Sequence, residues 1–275
     1  MSAAASSPLT HTRHVSRTAA NEWPYFAVAA RSTSATVVPG SSSRPVPAVS
    51  RADAKSLTVG TRATIPLRFV AQMTRNGSVR FLVIRHGEST WNAQGRWQGQ
   101  ADPPLTPRGE EQALIAARAI GVAIDRVIAS DLQRAATTAA IIAAQLRVDS
   151  VELEPRLRER HAGAWEGMTH REVEESWPGY LRDGLRPPGF EPSRSAGGRA
   201  LECLIDVARR VGGGTVLAVS HGGILRAVRK VLDAGEDIGF ANLNGQWFDV
   251  EADAVRPLEL ASLLDDERPL HSAPL

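Results

Sequence analysis

From residue 79 onward, apolar positions recur at two alternating spacings. VRFLVI, residues 79–84, is an apolar run of strand length that stops at Arg85, His86 and Gly87. LTPRGEEQALIAARAIG, residues 105–121, has helical spacing, with Thr106 suited to the N-cap and Pro107 to the first helical position. Glu110 and Glu111 fall in its first turns, where the helix dipole favours acids. DRVIAS, residues 125–130, predicts a second strand, and DLQRAATTAAIIAAQL, residues 131–146, a second helix. LECLIDVARRV, residues 201–211, predicts a third helix ended by Gly212, Gly213 and Gly214. TVLAVS, residues 215–220, predicts a third strand, and HGGILRAVRKVL, residues 221–232, runs back into helix. Strands alternating with helices predict an α/β fold: a three-layer sandwich with a mostly parallel central sheet flanked by helices.

Residues 1–76 differ. They are rich in Ser, Ala, Arg, Thr and Pro and show no sustained periodicity; VVPGSSSRPVPAVSR, residues 37–51, has linker composition. WPYFAVAA, residues 23–30, is too short for a signal-peptide core and has no basic residue just ahead of it. The expected organisation is a disordered or leader-like segment over 1–76, a catalytic domain over 77–252 and a C-terminal tail over 253–275. A compact body is expected to begin near Met73.

Charge follows the same division. Residues 1–79 hold nine Arg and Lys against Glu22 and Asp53, whereas the rest carries 23 basic and 28 acidic residues. The basic sequence pI therefore belongs to the first segment, and the body is not read as a nucleic-acid binder. No apolar run is long enough to predict a membrane span. The single Cys203 excludes an intramolecular disulfide and a zinc site of paired cysteines.

Two distant segments rhyme. FLVIRHG and LAVSHGG each run from an apolar strand into a histidine and then glycine. One histidine at a strand end is more often structural than catalytic. Two of them, each followed by a residue that lets the backbone approach a ligand, change the balance. The strand ending at Ser130 opens a helix bearing Arg134 near its N-terminus, where anions are favoured. Gathered at one end of a parallel sheet, Arg85, His86, Arg134 and His221 suit a phosphoryl group. The guanidiniums could spread its charge, one imidazole could attack phosphorus, and the other could stabilise the developing charge. No carboxylate stands in a tight ligand pattern with the histidines, and crowded arginines oppose a cation, so no metal or other cofactor is expected.

RHGESTWN (85–92), DLQRAATTA (131–139), LRERHAGAWEG (157–167) and VSHGG (219–223) occur in an order that resembles the histidine phosphatase superfamily, also called phosphoglycerate mutase-like. The resemblance covers about residues 79–250. It implies a phosphoglycerate mutase-like fold and a phosphohistidine formed on His86. It implies that Arg85, Asn92, Arg134 and His221 bind phosphoryl oxygens, and that Glu159 protonates the leaving oxygen and then activates water. Gln98, Gly99 and Gly222 are the further substrate-binding candidates. Glu166 and Glu88 compete for the acid role, Ser220 lacks the context of a serine nucleophile, and His161 and His170 match no catalytic position. After LRPPG (185–189) the chain continues FEPSRSAGGR (190–199), departing from a Gly-Glu-Ser/Thr segment common in such phosphatases; the loops around residues 95–100 and 177–199 are expected to set substrate preference.

The implied function is hydrolysis of a small phosphate ester, in the cytoplasm, without nucleic acid or membrane and with a homodimer left open as the assembly. The alternatives are a cofactor-dependent phosphoglycerate mutase, an inactive phosphate-binding relative and a signalling phosphohistidine phosphatase. Glu159 and His221 are 62 positions apart, a shorter stretch than the resembling mutases usually carry.

Overall fold

A computed structural model describes residues 77–264. The leader-like segment 1–76, the start near Met73 and residues 265–275 lie outside the described residues.

Strand β1 (Val79–Arg85) is followed by a single turn, α1 (Thr90–Ala93), and by α2 (Pro107–Ala119). Then come β2 (Arg126–Ala129), α3 (Gln133–Leu146) and β3 (Val151–Leu153). A long excursion containing α4 (His170–Ser176) leads to α5 (Ser193–Val211), β4 (Gly214–Ser220) and α6 (Gly222–Val231). β5 (Asn244–Glu251) and β6 (Ala254–Ser262) close the order. The six strands form one sheet in the order β3-β2-β4-β1-β5-β6. The first four are parallel, β5 pairs antiparallel with β1, and β6 pairs antiparallel with β5.

The apolar run of β1 is continuous because both faces of the sheet are covered. Phe81 and Val83 pack with Leu204, Val207, Ile224 and Val228 from α5 and α6. Leu82 and Ile84 pack on the other face with Ala113 and Ala116 of α2 and Ala139 and Ile142 of α3. β4 divides in the same way, with Val216 and Ala218 on one face and Leu217 and Val219 on the other. Thr106 does cap α2, its side chain accepting the Gly109 N–H, and Pro107 opens the helix.

Two expectations need correcting. The third helix begins at Ser193, eight residues before the LECLIDVARRV pattern, so SRSAGGR is helix and not loop. Low propensity there is outweighed by packing: a Cβ at Gly197 would stand 2.6 Å from the Ala227 carbonyl oxygen. Glycine therefore lets α5 approach α6 closely. The described part of the tail expected from residue 253 is instead largely β6, paired with β5 through residue 262. Its Pro257 is tolerated because β6 lies at the sheet edge, where one side of the backbone needs no partner.

Candidate active site

The parallel strands β1 and β4 end in register, Arg85 beside Ser220. Their chains turn there together, and the His86 N–H donates to Ser220 O at 3.0 Å. β2 ends one level away, so Ser130 and the start of α3 reach the same rim. Open parallel sheets bind ligands at this end, where helix N-termini and turning backbone converge.

His86 is buried, and its neighbours settle where its proton sits. Nδ1 is 2.6 Å from the Gly87 carbonyl oxygen, and Nε2 is 3.2 Å from Arg134 Nε. A carbonyl only accepts and a guanidinium only donates, so Nδ1 carries the hydrogen and Nε2 a lone pair. Burial, then the Arg134 and Arg85 cations, hold this imidazole well below its ordinary pKa. It is a neutral base at neutral pH.

Arg134 is fully buried. It donates Nη1 to Ala101 O at 2.8 Å and Nη2 to Gly99 O at 3.0 Å, which fixes its plane against His86. Burial brings its pKa down to about 10. Arg85 donates Nη1 to Phe240 O at 2.7 Å. His221, just before α6, stands edge-on to His86 with ring centroids 5.1 Å apart. Its Nε2 lies 2.9 Å from Ser130 Oγ, while its buried Nδ1 has no hydrogen-bond partner among the described residues. Burial, and after it the Arg134 cation, also hold His221 well below the ordinary value.

Glu159 faces this group from the excursion. Its carboxylate accepts the Gly223 N–H at 2.9 Å and the Arg160 N–H at 2.7 Å. A Cβ at residue 223 would stand 2.4 Å from Glu159 Oε1, so only glycine leaves room for the carboxylate at the start of α6. Behind it, Gln100 Nε2 and Arg199 Nη2 donate to Glu159 O at 3.2 and 3.1 Å. The two competing glutamates are engaged elsewhere. Glu88 accepts from Thr106 Oγ1 at 2.8 Å, and Glu166 accepts from the Gln100 N–H at 2.9 Å.

Arg85, His86, Arg134, Glu159, His221 and Gly222 therefore converge. Asn92 meets the group through Asn242, whose Nδ2 donates to His86 O at 2.8 Å and lies 3.5 Å from Asn92 Oδ1. Asn92 is also part of a capping box with Ser89. Gln98 Oε1 accepts from Ser89 Oγ at 2.8 Å, and Gly99 contributes its carbonyl to Arg134. Asn242, Ser130, Arg199 and Gln100 were not anticipated. Ser130 carried a signal as the last residue of a predicted strand, and Gln100 and Arg199 as members of the segments expected to set substrate preference. Among the described residues no group of three His, Cys, Asp or Glu is placed to hold a metal ion. No described helix is long and apolar enough to cross a membrane.

The model of the histidine phosphatase superfamily (branch 1) matches residues 81–247. A metal-independent phosphoserine phosphatase of Arabidopsis thaliana is 36% identical over 157 residues, covering 54% of this chain and 66% of its own length, just under two thirds. A probable phosphoglycerate mutase, GpmB, of an Enterobacter strain is 41% identical over 147 residues, covering 51% of this chain and 68% of its own. Among solved structures, native mycobacterial glucosyl-3-phosphoglycerate phosphatase superposes with a TM-score of 0.59 at 26% identity, covering 66% of this chain and 97% of that one.

Proposed function

This chain belongs to the histidine phosphatase superfamily, and we propose from that premise that it hydrolyses small phosphomonoesters through a phosphohistidine on His86. The observation that carries the proposal is the fixed tautomer of His86: a neutral ring, Nε2 unprotonated, between two guanidiniums and facing a second imidazole.

A phosphate ester entering the pocket takes the place of the Arg134 Nε–H at the Nε2 lone pair. Arg85 and Arg134 bind its oxygens, with His221 and Asn92 completing the set. Nε2 attacks phosphorus, the P–O bond to the alcohol breaks, and Glu159 gives its proton to the departing oxygen. The Nδ1–H···O bond to Gly87 holds the ring in line and disperses the positive charge that forms on it. Glu159, now a carboxylate, takes a proton from water as that water attacks phosphorus. The P–N bond breaks, inorganic phosphate leaves, and both His86 and Glu159 return to their starting states. The chemistry needs no metal, because the guanidiniums supply the positive charge.

Relatives that act on phosphoserine and on glucosyl-3-phosphoglycerate support a small phosphorylated metabolite as substrate. The mutase reading has a named relative behind it, but the acid motif here continues Ala162-Gly163 after Arg160-His161, closer to the phosphatase form. The same proposal takes residues 77–264 as the catalytic body, in the cytoplasm, with dimerisation left to measurement.

Rapid quench with a ³²P-labelled aryl phosphate is expected to leave acid-labile, base-stable label on His86. Label on serine or cysteine overturns the mechanism. With 3-phosphoglycerate and a bisphosphoglycerate primer no rapid interconversion with 2-phosphoglycerate is expected; efficient interconversion replaces hydrolase by mutase.

A further inference from the structure

Glu166 stands apart from the reacting groups, and its carboxylate is spent on main-chain donors. Oε1 accepts the Gln100 N–H at 2.9 Å and the Ala162 N–H at 3.3 Å. His161 Nδ1 lies 3.5 Å from the same oxygen, but it accepts the Gly163 N–H at 2.9 Å and so has no hydrogen to give. The bond to Gln100 is the consequential one. The nitrogen of Gln100 and the carbonyl oxygen of Gly99 belong to one peptide unit, and that oxygen accepts Arg134 Nη2 at 3.0 Å. A trans peptide is planar, and its N–H and C=O point in opposite directions. Glu166 on one edge therefore aims the carbonyl on the other edge at Arg134. Turned over, the same peptide would present an N–H to a guanidinium, which has only donors.

The surrounding turn is built to bring the two together. Trp97 anchors it by main-chain bonds of 2.8 Å to Gly167 and to Met168, and the Ala101 N–H closes it on Gln98 O at 3.0 Å. Gly99 has a φ of +51°, and a Cβ there would collide with Glu166 Oε1, so glycine lets the carboxylate reach the peptide. Arg134 Nη1 and Nη2 each give one hydrogen to the turn, at Ala101 O and Gly99 O, and each keeps one for a phosphoryl oxygen. Burial lowers the Arg134 pKa to about 10, and Glu159, Asp102 and Glu166 are the charges that oppose the fall.

We propose that Glu166 is a positioning residue for Arg134: through the peptide between Gly99 and Gln100 it fixes the plane of the guanidinium that receives the phosphoryl group. It touches neither substrate nor reacting atoms. Its effect on turnover rests on the phosphomonoester hydrolase reading, whereas its effect on the affinity of the pocket for an oxyanion does not.

Orthovanadate, titrated calorimetrically into the full chain, reads the anion site without requiring turnover. Glu166→Gln keeps an oxygen acceptor for the Gln100 N–H and is expected to hold vanadate within about threefold of the unaltered chain. Glu166→Asp keeps the charge but withdraws the oxygens by one methylene, and Glu166→Ala removes them. Each is expected to weaken vanadate binding by about tenfold or more, the worth of a charge-assisted hydrogen bond, with kcat/KM for p-nitrophenyl phosphate falling in step. Arg134→Lys lacks the Nη2 that meets Gly99 O, so in that background Glu166→Ala should cost less than about twofold further. Equal losses in the two backgrounds overturn the proposal, because a merely structural glutamate costs the same in both. So does a Glu166→Asp variant that binds normally beside a Glu166→Gln variant that does not, which would make the charge, and not the peptide, the agent. Should Glu166→Ala fail to fold, the Gln and Asp variants decide by themselves. With the vanadate pattern intact, absence of p-nitrophenyl phosphate turnover in the unaltered chain overturns the hydrolase reading alone.

Discussion

The phosphoryl pocket and the excursion between β3 and α5 are built by different means. In the pocket, each reacting group except Glu159 hangs from the end of a strand or the first turn of a helix. Main-chain atoms fix it: Gly87 O for His86, Gly99 O and Ala101 O for Arg134, Phe240 O for Arg85, the Gly223 N–H for Glu159. The excursion, roughly residues 154–192, has only short helical turns of its own. Beside main-chain bonds such as those between Trp97 and Gly167 and Met168, it is held by tilted and edge-on aromatic rings, with Trp165 5.0 Å from Trp97, 5.9 Å from Phe190 and 6.3 Å from Trp177. Attack on phosphorus tolerates little misplacement, so it is tied to the sheet. The excursion is a layer of aromatics and arginines that supplies one reacting group. Glu159 is the one reacting group that crosses from the second region to the first, and the Gly223 N–H of α6 holds its carboxylate there.

The largest expected effect removes the nucleophile. His86→Ala should reduce turnover of an aryl phosphate to background, because it removes the unprotonated Nε2 that lies against the Arg134 guanidinium. Measurable steady-state turnover in that variant would mean the pocket is not the reacting centre. Cutting the join comes next. Glu159→Gln should lower kcat for alkyl phosphates by about 10²–10⁴, the worth of a positioned general acid. The loss should be smaller for p-nitrophenyl phosphate, whose leaving group needs little protonation. If Glu166→Gln shows that pattern instead, the excursion delivers a different acid.

The same division governs what the sequence disclosed. β1, β4, α2 and α3 were legible because burial on two faces or on one stripe imposes a period that any window reveals. The pocket residues on their ends came with them. The N-terminal turns of α5 were hidden, since Ser, Gly and Arg in SRSAGGR argue for a loop unless the close approach of Gly197 to Ala227 is known. β6 was hidden too, because LELAS and its neighbours alternate weakly along an exposed edge and include Pro257. Asn242 and Arg199 reach His86 O and Glu159 O by hydrogen bonds across long sequence separations. Such bonds leave no local pattern, so only the folded chain shows them.

A third substitution tests whether the excursion is a separable layer. Trp165 is fully buried at the centre of its aromatic cluster, and Trp165→Ala should cost about 3–5 kcal/mol of packing. Hydrogen exchange should then speed up across residues 161–191, while protection in β1 and β4 persists. Equal loss of protection in the sheet would show that the two regions unfold as one and that the contrast between them is only chemical.

The smallest effect distinguishes the regions by pH. His86 and His221 are held neutral, chiefly by burial, with pKa values well below the ordinary imidazole. An unfolded chain protonates both near pH 6.5, so below that pH the unfolded state binds more protons than the folded one. Stability therefore rises with pH through this window and is lost on acidification, until the folded values are reached. His170 of the excursion, lowered by burial alone, adds a part of the same sign. The depressed carboxylates Asp131, Glu191 and Asp237 act at lower pH still. The melting temperature should accordingly fall between pH 7 and pH 5. His86→Gln, which removes one titrating imidazole from the pocket, should flatten that fall more than His170→Gln does. The acid limb of kcat/KM for p-nitrophenyl phosphate should lie below the ordinary imidazole range. Equal flattening by the two variants would mean that the pocket imidazoles are no more desolvated than one in the surface layer. The buried, neutral nucleophile on which the mechanism depends would then be lost.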